Sequence, residues 1–162
     1  MTKLSENIKK PWLKATLKEI HNLITNQTFL IEYQNEDEHV TPCMDVYKVK
    51  TQSDGILDKL KLRIVVRGDL QNKEMVGDTW SPTFSMRTLK YFLSDGAKYK
   101  ARVHQLYFIG AFLQAKVKNR VFVKLDIKYI YYFPEYAHYF GRALILSNSM
   151  YSMTNYGKLF VD

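Results

Sequence analysis

The 162 residues carry 24 Lys and Arg against 16 Asp and Glu, a net charge of +8, and the isoelectric point is near 9.4. Hydrophobic residues make up 46% and aromatic residues 14%, which excludes a disordered chain and fits one ordinary domain with an ample core. Cys43 is the single cysteine; it excludes an internal disulfide and fits a reducing compartment. No apolar run approaches the roughly 18 residues of a membrane span, and the opening MTKLSENIKKPW has no signal-peptide stretch. The expectation is an intracellular protein, cytoplasmic or nuclear, with no membrane span. A surface this basic favours polyanions such as nucleic acid or acidic lipid.

The first ten residues read as a loose leader, and Pro11 can open a helix because its missing N–H costs nothing there. Leu13, Leu17, Ile20 and Ile24 share one face of that helix, widened by Trp12, Thr16 and Leu23, while Lys10, Lys14, Lys18 and Asn22 face away, and it ends near Asn26. Residues 28–33 read as a short strand, 35–39 as an acidic loop, and Pro42 punctuates it. Residues 45–51 alternate, Ser53-Asp54-Gly55 signals a turn, and a partner strand runs from Leu57 to about Arg67. Period-two geometry puts Leu60, Leu62, Ile64 and Val66 on one face. Lys59, Lys61, Arg63 and Arg67 fall on the other, interrupted by Val65. A row of cations on one strand face is what phosphate neutralisation needs.

Ser85 can cap a helix from Met86 whose Leu89, Phe92, Leu93 and Ala97 lie together. Residues 101–108 read as a strand, 111–113 as a short apolar turn, 120–125 as a strand, and 144–146 as a last strand. The aromatic run from Tyr129 to Phe140 allows either core packing or stacking platforms for bases. Strands and helices intermix without a βαβ rhythm, so the class is α+β.

Several segments together resemble the front half of a copia-type retrotransposon reverse transcriptase. They are Trp12-Leu-Lys-Ala15 with Glu19, Leu23 and Asn26-Gln-Thr-Phe-Leu30; Val46-Tyr-Lys-Val-Lys50; Lys61-Leu-Arg-Ile-Val-Val-Arg-Gly68 with Gln71; Thr79-Trp-Ser-Pro82; Val103-His-Gln-Leu106; and Ala111-Phe-Leu113. No one of these is specific, but the ordered set runs from Trp12 to about Leu125. The resemblance implies the fingers and incomplete palm of a right-hand polymerase, with antiparallel hairpins and packed helices. It implies a partial reverse transcriptase domain over residues 11–146 and a truncated tail over 147–162. Lys61, Arg63 and Arg67 fall on the family's basic hairpin positions. With Lys59 they are the expected contacts to a primer–template, RNA or nucleotide phosphate.

Polymerisation in that family uses two Mg²⁺ ions held by carboxylates. Tyr107 occupies the position of the family's first aspartate, and the sequence contains no Asp-Asp dipeptide. No catalytic residue, metal site or cofactor is therefore expected in this chain, and neither is polymerase activity from it alone. Asp95 and Asp126 are the nearby carboxylates, and neither lies on the strand expected to carry Tyr107. Ser152 stands where the family has glycine, and Thr154 where lysine is usual. His39 and Cys43 are too few for a zinc site. Two further readings remain: an interaction module that pairs with a partner or itself through an exposed palm edge, and a functionless remnant of a decayed element.

Overall fold

The computed structural model describes residues 6–72, 84–108 and 110–154. Helix α1 (Glu6–Thr25) begins before Pro11, so residues 6–10 are helical and not a loose leader. Lys9 and Lys10 are good helix formers, and Pro11 removes a single hydrogen bond near the N-terminal end. Thr16, Ile20 and Leu23 of the expected stripe are buried, and Leu13 and Ile24 pack against the core. Leu17 is exposed instead, and Glu19 is buried beside the stripe. The Thr16 hydroxyl satisfies itself by donating to the Trp12 carbonyl at 2.8 Å.

Five strands form one mixed sheet in the order β1-β5-β4-β2-β3. Strand β1 is only Phe29–Leu30, shorter than expected, and pairs antiparallel with β5 (Ala143–Leu146). Strand β2 (Val40–Thr51) pairs antiparallel with β3 (Leu57–Val66) through residues 43–51. Its first three residues pair parallel with β4 (Phe122–Lys124). The sheet is thus not built from antiparallel hairpins alone. Pro42 lies inside β2 and does not break it. It stands where pairing passes from β4 to β3, and its carbonyl accepts the Arg67 N–H at 3.0 Å.

Ile20 and Leu23 of α1 pack on Leu62, Ile64 and Val66 of β3, and the core continues through Val123, Leu125 and Leu144. The aromatic run folds into a short helix α4 (Tyr129–Tyr132) and a 3-10 segment (Pro134–Tyr139). Tyr129, Phe133 and Phe140 enter the core, so of the two readings of this run core packing holds for these three. Tyr131 remains 85% exposed. Residues beyond 146 also belong to the core. Met150 and Met153 are fully buried, the Ser147 N–H donates to the Thr28 carbonyl at 2.9 Å, and the Ser149 N–H donates to that of Ala115 at 2.7 Å.

Helix α2 (Met86–Lys98) begins as the sequence indicates, with the Ser85 hydroxyl accepting the Thr88 N–H at 3.1 Å. None of its residues is buried, and its apolar face stands open at Leu89, Phe92 and Leu93. A one-turn helix α3 (Ala111–Gln114) replaces the expected apolar turn. Residues 101–108 form no strand. The outer edge of β3 is already engaged, because the Val66 N–H donates to the Tyr151 carbonyl at 3.0 Å and that of Ile64 faces the Glu19 carboxylate.

Candidate nucleic-acid interface

Alternation along β3 points Lys59, Lys61, Arg63 and Val65 the same way. They form one wall of a cleft of about 960 Å³. Helix α1 supplies a second wall through Ala15, Lys18, Glu19 and Asn22. Leu106, Tyr107 and Phe108 close one side, and Tyr151 and Ser152 another. The cations differ in setting. Lys59 is exposed beside Asp58 at 3.8 Å. Lys61 is half-buried, and burial lowers its pKa, with repulsion from Arg63 adding to the fall. The Arg63 guanidinium lies 5.3 Å from the centre of the Tyr151 ring, a cation–π distance.

Arg67 does not join them. Strand β3 ends at Val66, and the Arg67 side chain turns to Asp69, with Nε–Oδ1 at 2.9 Å and Nη2–Oδ2 at 2.6 Å. The expected four-residue row is therefore three residues in one cleft and one exposed ion pair outside it.

Glu19 is the residue of the cleft whose chemistry the sequence did not disclose. It is 7% exposed, and its Oε1 has no hydrogen-bond partner. Burial raises its pKa, against the Ile64 N–H and the charges of Lys61 and Arg63. Burial also raises the Tyr151 pKa, and the Glu19 charge adds to the rise. Lys18, Lys59, Lys61 and Arg63, the Glu19 carboxylate and the phenols of Tyr107 and Tyr151 thus line one cleft.

Tyr107 is 86% exposed at the cleft side, where it presents a phenol. Among the described residues, no three His, Cys, Asp or Glu side chains gather as metal ligands. Asp126 is held by Lys128, whose Nζ lies 2.9 Å away. His39 Nε2 hydrogen-bonds the Leu70 carbonyl at 2.9 Å. Burial, with the charge of Asp45, pushes the Cys43 thiol up to about 12, so it is protonated at neutral pH. The Thr79–Pro82 motif lies outside the described residues.

Ser152 borders the cleft with φ +65°, a left-handed conformation that glycine adopts without strain. A Cβ on Gly68 would meet the Ser152 carbonyl oxygen at 2.2 Å, so only glycine fits there. Both positions were marked by the resemblance, Gly68 as a match and Ser152 as a departure.

A second polar cluster lies on the same hairpin. The Asp45 carboxylate accepts hydrogen bonds from the Tyr129 hydroxyl and, at 3.1 Å, from the Tyr47 hydroxyl. Lys128 Nζ reaches it at 2.9 Å. Burial and Asp45 push Tyr47 up to about 12, and both act on Tyr129 in the same direction. No local pattern could reveal this cluster, because residues 45 and 129 meet only through the fold.

The retrovirus-related Pol polyprotein from transposon TNT 1-94 of Nicotiana tabacum is 29% identical over 122 residues, covering 75% of this chain and 9% of the polyprotein. The chain is similar to part of a transposon Pol polyprotein. An uncharacterized mitochondrial protein of Arabidopsis thaliana, AtMg00820, is 32% identical over 84 residues, covering 51% of this chain and 49% of that protein. The chain thus spans about half of one relative and about a tenth of the other. Together they support a retrotransposon-derived chain. No family model matches the chain, and no solved structure matches it.

Proposed function

We propose that the chain corresponds to the fingers and the start of the palm of a copia-type reverse transcriptase. It has lost polymerisation and keeps a cleft that binds nucleic acid through phosphate. Kinship with a transposon Pol polyprotein supports the first half. Tyr107, a phenol in place of the family's first aspartate, supports the loss of metal-dependent chemistry. The observation that carries the binding function is the alignment of Lys59, Lys61 and Arg63 in one cleft flanked by exposed Leu106, Tyr107 and Phe108. Cations neutralise phosphate, and aromatic rings stack on bases without regard to sequence.

The test is fluorescence anisotropy with a labelled single strand and an RNA–DNA hybrid over a salt series. Three phosphate contacts give a slope of log affinity against log salt near −2 for a single strand. The K61E/R63E double variant should lose more than tenfold in affinity while keeping its fold. A slope near zero, or a variant that binds as well as wild type, would overturn the reading.

The open apolar face of α2 favours a second function, association with a protein partner or another copy. Sedimentation of wild type beside an L89S/F92S variant separates the two. Association through α2 weakens in that variant, whereas phosphate binding does not change.

A further inference from the structure

The cation row of β3 has a second row beside it on β2. In the register of the hairpin, Lys48 stands opposite Lys61, Lys50 opposite Lys59 and Val46 opposite Arg63. Directly opposed residues share a face, so five cations lie on one side of the ribbon, and like charges placed this way repel. Acids relieve them little. Lys59 has Asp58 at 3.8 Å; among the described residues, no carboxylate forms an ion pair with Lys48, Lys50, Lys61 or Arg63. Lys61 alone of the five is half-buried; the other four are exposed. Burial, Arg63, Lys50 and Lys59 all favour loss of its proton, and the Glu19 carboxylate opposes them. Lys18 and His21 of α1 line the same cleft with Tyr107 and Tyr151. A lysine desolvated among cations is the setting in which an ammonium group becomes a nucleophilic amine. Lys59 and Arg63 also line the cleft, and cations that stay charged suit an anion. A molecule matching both features joins an electrophilic carbonyl to a phosphate.

We propose that Lys61 is an acylation site whose donors are acyl phosphates: Arg63 and Lys59 hold the phosphate while the Lys61 amine takes the acyl group. The bond from Nζ to the carbonyl carbon forms, and the bond from that carbon to the phosphate oxygen breaks. Inorganic phosphate leaves with the electron pair and receives the amine proton through solvent. The product is a neutral amide, so the modification removes one cation from the row and ends its repulsion with Lys48. The site uses the cations of the nucleic-acid function proposed above, but its reaction is read without any nucleic acid present.

The experiment treats the full chain with acetyl phosphate at pH 7 and follows acetylation of each lysine by peptide mass spectrometry. Lys61 should be acetylated about tenfold faster than Lys10 and Lys14, exposed on α1, which is what one charge-assisted contact to the phosphate is worth. Its rate should level off at a lower pH than that of the model amine N-α-acetyl-lysine amide. Excess inorganic phosphate should slow Lys61 and leave Lys14 unchanged. R63Q should bring the Lys61 rate down to that of Lys14, with amide NMR dispersion checking the fold; if that variant is unfolded, competition by phosphate on wild type decides. Equal rates at Lys61 and Lys14, or a Lys61 rate that ignores phosphate, overturn the proposal. So does a pH profile that coincides with that of the model amine. None of these results bears on oligonucleotide affinity, which the salt series measures separately.

Discussion

Two carboxylates, Asp45 on the β2–β3 hairpin and Glu19 on the helix packed against it, have opposite circumstances. Asp45 on β2 receives two phenol hydroxyls and an ammonium group. Glu19, packed from α1 against β3, keeps one oxygen sealed from solvent without a donor. Both acids sit beside cations and tyrosines, so composition does not separate them; the number of donors does. A carboxylate whose donors all come from the protein fixes one part of the chain against another. One left short of donors in the interior costs stability.

The sharpest way to break this contrast is D45A. It strands the Tyr47 and Tyr129 hydroxyls, leaves Lys128 paired with Asp126 alone, and should lower unfolding free energy by about 2–3 kcal/mol, read from urea unfolding. A loss below about 0.5 kcal/mol, the level of an ordinary surface change, would mean that the cluster holds nothing together. The matching change at the other acid, E19Q, should leave the protein as stable or more stable by about 1 kcal/mol at neutral pH, since it removes an unfilled buried charge.

The pH dependence sharpens the contrast further. The Glu19 pKa is raised on folding above its ordinary 4.5. The stability it contributes is therefore fully present below about 4.5 and is lost as pH rises through the folded value. The difference in unfolding free energy between E19Q and wild type should widen across that window in favour of the variant. A flat difference would show that Glu19 titrates as it does in the unfolded chain. The smallest effect belongs to R67A. Arg67 is paired with Asp69 outside the cleft, so oligonucleotide affinity should stay within about twofold of wild type, the scatter of a residue that contributes no phosphate contact. A loss comparable to that of K61E/R63E would restore Arg67 to the site.

Much of the hairpin was legible because period two and a turn signal are local. Gly55 takes φ +82° at the turn, where the Gln52 N–H donates to the Ile56 carbonyl at 2.8 Å. Three of the four expected cations follow from that alternation. Arg67 departed because the strand stops one residue earlier and an aspartate stands two residues on. The α2 cap was legible for the same local reason. What escaped depends on distant partners. The burial of Glu19 on α1 is set by β3, the Asp45 cluster by a segment more than eighty residues away, and the unpaired course of 101–108 by an edge already engaged. The role of Glu19 was hidden too, since an acid among apolar helix positions looks the same whether its oxygens are filled or not.

The place of β5 between β1 and β4 has a consequence for how the chain is made. Phe29 finds its only described ladder partner in Leu146, and Phe122 pairs with Ile145. Such a connection closes a loop of more than a hundred residues before it returns any contact, which slows folding relative to the local β2–β3 hairpin. Synthesis proceeds from the N-terminus, so the hairpin and α1 emerge long before the strand that joins the sheet's two halves. A nascent chain halted at residue 140 has its hairpin paired and β1 without a neighbour, and the sheet closes only when residues 143–146 leave the ribosome.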